Sequence, residues 1–317
     1  MKKISHIFGP VPSRRLGRSL GIDLVPFKTC SFDCVYCQLG KTTNLTVKCD
    51  DYYDPLEIIA DFKERIRIVE KNTDYITISG SGEPTLNKSI GLIIDEIKKL
   101  TDIPVAVLTN GSMLWKREVA DAILAADLVI PSLDAGTEEV FLRVNRPSPE
   151  LAFRQVVEGL ETFTNRYKGN VWIEVFLLKG LSDSIKEIEA ISANLKNVRK
   201  ERIQLNTVAR PACENFALPV SRSRMEKLLK IMPEETEVIA DFSMEEKEVF
   251  RKIDEDEVIN LLERRPCTKE EISNSLGVHL NEIIKLIEVL ERSGEIVNEN
   301  RGGRNYYMAV NRSIEKQ

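Results

Sequence analysis

Short apolar runs rich in β-branched residues alternate with longer amphipathic stretches between about residue 18 and residue 241. The short runs predict strands at residues 20–25, 75–79, 105–109, 128–133, 171–178, 203–207 and 237–240. In the longer stretches Leu, Ile and Val recur at three- and four-residue spacing, which predicts helices at residues 89–100, 117–125, 151–167, 185–198 and 222–231. Six or seven successive βα units are typical of an α/β fold with a parallel sheet. We therefore predict a partial or full (β/α) barrel.

The pattern changes after residue 241. Residues 242–253 are charge-dense and carry no strand signal, so we expect a linker there. Three helices are predicted at residues 257–264, 268–276 and 281–293, followed by a β-hairpin at residues 295–310. Helices and hairpin in this order resemble a winged-helix module. The predicted organisation is a barrel domain (1–241), a linker (242–253) and a small winged-helix domain (254–317).

Composition narrows the class of protein. With 317 residues, of which 42% are hydrophobic, the chain can bury one full core and a second small one. A formal net charge of −5 argues against a surface built wholly to bind nucleic acid or anionic membrane. No run of about 18 uncharged apolar residues is present, and the first residues lack a long apolar segment. We expect a cytoplasmic protein without a membrane partner.

Three of the six cysteines lie close together, at Cys30, Cys34 and Cys37. Residues 30–37, here called the cysteine loop, can wrap a single metal centre, because thiolates are ligands of both iron–sulfur clusters and zinc. Three ligands leave one iron of a cluster open to a small molecule. The alternative from spacing alone is a zinc site with Cys49 as its fourth ligand. Cys213 follows a predicted strand end and would face the same region.

The ends of the predicted strands carry polar residues, and barrel enzymes place their chemistry there. Residues 79–85, here called the glycine turn, read Ser-Gly-Ser-Gly-Glu-Pro-Thr and follow the second predicted strand. Thr109, Ser132 and Asn206 stand at later strand ends, and Glu174 interrupts a strongly apolar strand, where a carboxylate needs a partner or a ligand. Ordinary turns would also explain the glycines and residues 109–111.

The spacing of Cys30, Cys34, Tyr36 and Cys37 matches the Cx3CxφC signature, in which φ is aromatic, and the glycine turn is similar to a Gly-Gly-Glu-Pro motif. On these motifs the chain resembles the radical S-adenosylmethionine (SAM) superfamily. The resemblance implies a [4Fe–4S] cluster on the three cysteines, with SAM on its open iron. Reductive cleavage of SAM would then give a 5′-deoxyadenosyl radical that abstracts hydrogen from a substrate.

The same resemblance implies which residues contact SAM and which partner supplies the electron. The implied contacts are Tyr36, Gly80, Ser81, Gly82, Glu83, Thr109, Ser132, Glu174 and Asn206. Asp134 would line the substrate cavity. The reductant would be a low-potential electron donor such as flavodoxin or ferredoxin.

Residues 8–21 contain three arginines and, with Asp23 and Lys28, resemble iron–sulfur oxidoreductases grouped with wyosine-pathway tRNA-modifying enzymes. The arginines suit phosphate or carboxylate ligands, or they pair with acidic residues of the chain. No cysteine precedes Cys30, so the second cluster of the wyosine-forming enzymes is missing, and Cys37 is followed by Gln-Leu-Gly instead of Trp-Arg. Their reaction is therefore not assigned to this chain.

The substrate class stays open between an RNA base, a protein side chain and a small metabolite. A separate terminal module favours docking of an RNA or protein substrate. Residues 254–317 hold nine Lys and Arg against thirteen Asp and Glu, which argues against generic duplex binding, although Tyr306 and Tyr307 suit base stacking. The rival hypothesis is a redox- or metal-sensing winged-helix regulatory protein with a structural zinc or iron–sulfur site.

Overall fold

The computed structural model describes residues 6–209, 212–240, 242, 255–264, 266–276, 278, 280–301 and 304–310. The strands are β1 (Ile7–Ser13), β2 (Gly17–Ile22), β3 (Thr29–Cys30), β4 (Asn44–Leu45), β5 (Tyr75–Ile78), β6 (Val105–Thr109), β7 (Leu128–Pro131), β8 (Asn170–Leu177), β9 (Arg202–Thr207), β10 (Thr236–Val238), β11 (Ile296–Arg301) and β12 (Arg304–Ala309). The α-helices are α1 (Pro55–Val69), α2 (Ile90–Leu100), α3 (Arg117–Ala122), α4 (Glu138–Val144), α5 (Phe153–Arg166), α6 (Ile185–Asn194), α7 (Arg222–Leu229), α8 (Glu255–Arg264), α9 (Lys269–Leu276) and α10 (Leu280–Ser293).

Eight strands form one sheet in the order β1-β2-β5-β6-β7-β8-β9-β10. From β2 onward every neighbouring pair is parallel, and only β1 runs antiparallel to its neighbour. The two edge strands, β1 and β10, are not paired with each other, so the barrel is partial. The predicted α/β fold with a mostly parallel sheet is confirmed. Within the described residues, no helix is both long and apolar enough to cross a membrane.

Side chains alternate between two environments along the strands, as strand geometry requires. In β8, Ile173 and Val175 join the large core between the sheet and its helices, while Trp172 joins a smaller cluster on the other face. Glu174 lies on the same inner face as Trp172, two residues along. The unusual carboxylate of the apolar strand therefore points into the barrel, as the sequence pattern predicts.

The tip of the β1–β2 hairpin folds into the barrel and spans its open side. Leu16 packs with residues of β6 and β7 in the inner cluster. The Arg15 guanidinium donates to the Glu174 carboxylate at 3.2 Å and to Gln204 Oε1 at 3.4 Å. Arg14 donates to the carbonyl of Ile239, just after β10, at 3.3 Å. Because the tip of one edge hairpin reaches β8, β9 and β10, the sheet is curved around it.

Some elements differ from the sequence expectation for identifiable reasons. β1 was not predicted, because its sequence contains Gly and two Pro, which suit an edge strand with a register shift rather than a central strand. β3 and β4 are two residues long and leave no periodic signal. The predicted first strand, residues 20–25, begins earlier and ends earlier as β2, and the last, residues 237–240, is shifted toward its N-terminus as β10.

The C-terminal module has its own core, built from α8, α9, α10 and the β11–β12 hairpin. Cys267 and Tyr307 are buried in it. The helices and hairpin appear in the expected order, while the winged-helix resemblance and the domain boundaries stay predictions. The predicted linker, residues 242–253, lies outside the described residues except for residue 242.

Helix α10 also contacts the barrel, through β1. One face of α10 carries Ile283 and Ile287 into the module's own core, whereas the buried Ile284 lies outside that core. Glu288, one helical turn after Ile284, accepts a hydrogen bond from the Gly9 amide at 3.4 Å. The face that carries residues 284 and 288 is therefore covered by the first strand of the barrel.

We predict that Arg15→Met lowers the free energy of unfolding of the barrel by about 3 kcal/mol, because it leaves the Glu174 carboxylate buried without its cation. The two side chains are only 13% and 16% exposed. Burial alone would raise the pKa of Glu174, but Arg15 and Asn206 outweigh it and hold that pKa below its usual value. The ion pair therefore stabilises the fold fully above the pKa that Glu174 has in the unfolded chain. This stabilisation is lost as the pH falls through the lower pKa of Glu174 in the folded chain. Urea unfolding followed by tryptophan fluorescence measures the effect.

The matched control is Arg18→Met, which breaks the exposed ion pair with Asp74 and should change the unfolding curve much less. Combining Arg15→Met with Glu174→Gln should recover part of the loss, since no charge is then left unpaired. Equal destabilisation by both single variants would contradict the role given to the buried pair.

We predict that Ile284→Ser weakens docking of α10 on β1 by about 2 kcal/mol, the worth of one buried aliphatic side chain, while the module stays folded. Ile284 is 8% exposed, whereas Val289 on the same helix is 47% exposed, so Val289→Ser is the control. Hydrogen exchange should become faster in β1 and remain slow in β11 and β12. Unchanged exchange in β1 would show that this residue does not hold the two parts together.

Candidate active site

The cysteine loop is fixed by backbone hydrogen bonds to the chain at the end of α4. The amide of Asp33 donates to the Asn145 carbonyl at 3.0 Å, and the amide of Val35 donates to the Val144 carbonyl at 3.0 Å. These bonds hold the middle of the loop, between its first and last cysteines. The three cysteines therefore have set positions at the C-terminal ends of the barrel strands.

Each of the three cysteine sulfurs accepts a hydrogen bond from a nitrogen donor. The donors are the Phe32 amide and Asn110 Nδ2 for Cys30 (3.5 and 3.6 Å), Asn145 Nδ2 for Cys34 (3.5 Å) and Lys28 Nζ for Cys37 (3.1 Å). Hydrogen bonds to ligating sulfurs are one of the means by which proteins tune iron–sulfur clusters. The surroundings of the three thiols therefore suit thiolates that bind a cluster.

The ionisation of the thiols gives a second test of this fit. Burial, with a smaller effect of Glu83, raises the pKa of Cys30 to about 12. Burial, with a smaller effect of Asp134, also raises the pKa of Cys34 well above its usual value. Such thiols are poor nucleophiles, and a bound cationic centre is what removes their protons. Cys30 and Cys34 are therefore suited to ligation rather than to nucleophilic catalysis.

The positions of the metal-binding side chains are compatible with a cluster. In the described part of the chain, no three His, Cys, Asp or Glu side chains converge on a position for one ion. The thiolates of a [4Fe–4S] cluster bind different irons, so they need not converge on one point. Cys213 lies beside the cysteine loop, because the amide of the next residue, Glu214, donates to the Val35 carbonyl at 3.0 Å. Cys49 packs against the same hydrophobic cluster as Cys30 and Cys34.

The glycine turn lies directly against the start of the cysteine loop. The Ser81 carbonyl accepts from the Lys28 amide at 2.7 Å, and the Glu83 amide donates to the Thr29 carbonyl at 3.0 Å. A Cβ at Gly82 would overlap that same Thr29 carbonyl oxygen, so only glycine permits this approach. The glycine turn is therefore bonded to the two residues that lead into the cysteine loop.

Asp23 supports the glycine turn from β2. Its carboxylate accepts from the Ser81 amide at 3.1 Å and also from the Ser81 hydroxyl. Gly80 has a φ of 130°, and a Cβ there would strike the Asp23 side chain. Burial raises the pKa of Asp23, although the bonds from Ser81 oppose that shift. The sequence flagged Asp23 only through the family resemblance, not through any local signal.

Glu83 joins the ends of β5 and β6. Its carboxylate is 2% exposed and accepts from Thr109 Oγ1 at 2.6 Å, from the Asn110 amide at 2.7 Å and from the Thr85 amide at 3.1 Å. Burial raises the pKa of Glu83 although these donors oppose the shift. The expected contact of Glu83 and Thr109 with SAM stays a prediction, and their observed partners are each other.

Tyr36, the aromatic residue of the cysteine signature, connects the loop to β7 and β8. Its hydroxyl donates to Asp134, and its ring stacks on Phe176 with centroids 4.1 Å apart. Asp134 also accepts from Asn145 Nδ2 at 2.9 Å and from the Phe176 amide at 3.0 Å. Burial raises the pKa of Asp134 to about 6. Asn145, which contacts both Asp134 and Cys34, has no recognisable signal in the sequence.

A small cavity lies behind these strand ends, with Asn110, Ser132, Asp134 and Asn145 among its lining residues. The predicted placement of Asp134 at the substrate cavity stays a prediction. Glu174 lies deeper in the barrel. Its carboxylate accepts a hydrogen bond from Asn206 Nδ2 at 2.8 Å and pairs with Arg15. The partner that Glu174 needs is thus supplied by the chain itself, and its contact with SAM stays a prediction.

The arginines of residues 8–21 pair with the chain, which was the second interpretation of that segment. Arg15 binds Glu174, and Arg18 binds Asp74. A further arginine, Arg146, directly follows Asn145 and pairs with Glu214 at 2.6 Å. The sequence gave no indication of that pair, because its members lie 68 residues apart.

Comparisons with known proteins identify the family of the chain. The family model of the radical SAM superfamily matches residues 24–191. A UPF0026 protein of Methanocaldococcus jannaschii is 32% identical over 315 residues, covering 98% of this chain and 97% of that protein. The GTPase Obg of Brachyspira hyodysenteriae is 42% identical over 300 residues, covering 94% of this chain but only 44% of that longer protein.

Among solved structures, a radical SAM methyltransferase from Sphaerobacter thermophilus has a TM-score of 0.53 at 15% identity, covering 73% of this chain and 69% of that one. At this identity the likeness shows the fold alone. The winged-helix resemblance and the grouping with wyosine-pathway enzymes remain predictions. The family match and the homologous UPF0026 proteins show that the chain belongs to the radical SAM superfamily, whose members are enzymes that use a [4Fe–4S] cluster and SAM.

Proposed function

We propose that Cys30, Cys34 and Cys37 hold a [4Fe–4S] cluster and that the chain cleaves SAM reductively, so that hydrogen is abstracted from a substrate. The observation that carries the proposal is that the cysteine loop has a donor on each sulfur and that Lys28 and Thr29, which lead into it, are bonded to the glycine turn. When bound, the cluster supplies the electron that breaks the sulfonium bond and yields the 5′-deoxyadenosyl radical.

The predicted SAM-binding residues divide into two groups by exposure. Tyr36, Gly80, Ser81, Gly82 and Ser132 are partly exposed and are in a position to touch a ligand. By contrast, Glu83, Thr109 and Asn206 are buried and bonded to other residues. Glu174 belongs with this second group, because its partly exposed carboxylate is bonded to Arg15 and Asn206. We infer that the first group contacts SAM and that the second group fixes the strand ends that carry it.

The electron is proposed to come from a low-potential donor such as flavodoxin or ferredoxin. The cysteine loop is its natural target, because Cys30, Cys34 and Cys37 are all partly exposed. Phe27, beside the start of the loop, has an exposed ring. Partial exposure of the loop favours electron entry without a long path through protein.

The proposed substrate is a macromolecule, RNA or protein, docked with the help of the C-terminal module. The module contacts β1, where Glu288 of α10 accepts a hydrogen bond from the Gly9 amide at 3.4 Å, and β1 pairs with β2, which leads to Asp23. A module held on this hairpin suits a substrate too large for the cavity. A protein segment is favoured over RNA, because Tyr307 is buried and is not free to stack on a base.

The regulatory alternative is disfavoured by the same contacts. A DNA-reading helix needs an exposed face with basic and amide side chains. The face of α10 that carries Ile284 and Glu288 is covered by β1, and Val289 and Glu291 beside it are not basic. The contacts between the glycine turn and the strand ends would also have no role in a simple metal-sensing regulator.

The wild-type chain is expected to bind about four irons after anaerobic reconstitution. We predict that Cys30→Ala, Cys34→Ala and Cys37→Ala each lose this iron. Each should also fail to form 5′-deoxyadenosine from SAM and dithionite. Iron analysis, the absorption spectrum and product chromatography measure these effects.

Cys49→Ala is the control and should keep both its iron and its 5′-deoxyadenosine formation. A colourless, zinc-loaded chain that loses its metal in Cys49→Ala would refute the cluster proposal and support the zinc alternative. Absence of 5′-deoxyadenosine from an iron-loaded wild type would refute the reaction while leaving the cluster in place.

We predict that Glu83→Gln weakens SAM binding to the reconstituted chain by about tenfold or more. The NH2 group of the new carboxamide would face a donor, either the Thr109 hydroxyl or the Asn110 amide. That buried donor then loses its acceptor, and the ends of β5 and β6 are no longer held together. Equilibrium dialysis with labelled SAM gives the dissociation constant. Glu150→Gln, at an exposed position, is the control. An unchanged dissociation constant for Glu83→Gln would contradict the supporting role.

A further inference from the structure

Lys28 is a buried lysine next to the cysteine loop. It is 3% exposed, and its ammonium donates to Cys37 Sγ at 3.1 Å. Its charge also acts on Cys30 and on Cys213. The ammonium therefore lies among the thiols rather than in solvent.

The backbone leaves the Lys28 side chain little freedom to move away. Its φ is 57°, a left-handed conformation that non-glycine residues rarely adopt. Its amide donates to the Ser81 carbonyl, and its own carbonyl accepts from the amides of Thr43 and Asn44 at 3.2 and 3.1 Å. The residue is thus fixed between the glycine turn and the strand that follows the cysteine loop.

No carboxylate lies within ion-pair distance of Lys28 in the described part of the chain. Lys200, whose side chain is 8% exposed, shows what a buried lysine ordinarily has: it pairs with Glu235 at 3.2 Å and donates to the carbonyls of Leu195 and Val198. Burying a charge without a counter-charge is costly. A neutral thiol is only a weak acceptor, so the apoprotein does not supply what Lys28 needs.

A cluster on three thiolates supplies that counter-charge. An oxidised [4Fe–4S]²⁺ core with three thiolates carries one net negative charge, and one added electron makes it two. A cation at hydrogen-bond distance from a ligating sulfur stabilises the reduced form more than the oxidised form. Its effect is therefore to make the cluster easier to reduce.

We propose that Lys28 is a positioning residue for the cluster: its ammonium pairs with the Cys37 thiolate and raises the reduction potential of the cluster. The proposal rests on the cluster ligation proposed above. The electron comes from the external low-potential donor, and Lys28 itself neither gains nor loses an electron or a proton.

The test is an anaerobic redox titration of the reconstituted full chain, followed by electron paramagnetic resonance, for the wild type, Lys28→Met and Lys28→Arg. All three side chains have a Cβ, so the backbone strain at φ 57° is the same in each. Lys28→Met should bind the same amount of iron but have a more negative potential. At the wild-type midpoint, its ratio of reduced to oxidised cluster should be about tenfold lower. Lys28→Arg should stay near the wild type.

Three results would overturn the inference. The first is an equal potential in Lys28→Met and wild type. The second is an unchanged potential with weaker SAM binding, which would make Lys28 a contact of the SAM carboxylate. The third is loss of iron from Lys28→Met but not from Lys28→Arg, which would assign the ammonium to cluster assembly. A wild type without a cluster would instead contradict the proposed function itself.

Discussion

The backbone joint between the cysteine loop and the glycine turn is the constraint on which the site depends. A loop that keeps its shape without the metal presents its three thiols ready to bind a cluster. Here the loop is fixed by Val144 and Asn145, and the residue Lys28 before it is fixed by Ser81. The absence of a side chain at Gly82 is what lets the glycine turn approach Thr29. Backbone hydrogen bonds would therefore hold the proposed cluster site and the proposed SAM site next to each other.

Three carboxylates, of which Glu83 and Asp134 are buried and Asp23 is partly exposed, fix the strand ends around this joint. Asp23, Glu83 and Asp134 each accept two or more hydrogen bonds from neutral donors of a neighbouring strand end or loop. Burial raises the pKa of all three, so each carboxylate depends on its donors to stay ionised. Neutral donors are directional, which orients the strand ends. The one buried cation beside the loop, among the residues described, is Lys28.

The sequence predicts elements and motifs whose residues are close together in the chain. It does not predict contacts between residues that only the fold brings together. Strands β5 to β9 were readable because buried parallel strands are continuous apolar runs. The cysteine loop was readable because its ligands lie within eight residues. Glu174 stood out as a carboxylate in an apolar strand, but its partner Arg15 lies 159 residues away and only the curvature of the sheet joins them. Asn145 had no signal, since an asparagine after a helix is ordinary.

The strand that sequence reasoning missed, β1, connects three parts of the molecule. It pairs with β2, which leads directly to Asp23 and the cysteine loop. Its hairpin carries Arg15 into the barrel, and its other side receives α10. An edge strand has unpaired backbone groups, and here the Gly9 amide uses Glu288 of α10 as its acceptor. The C-terminal module therefore covers the edge of the sheet, and a change in its position would reach the site through a single pair of strands.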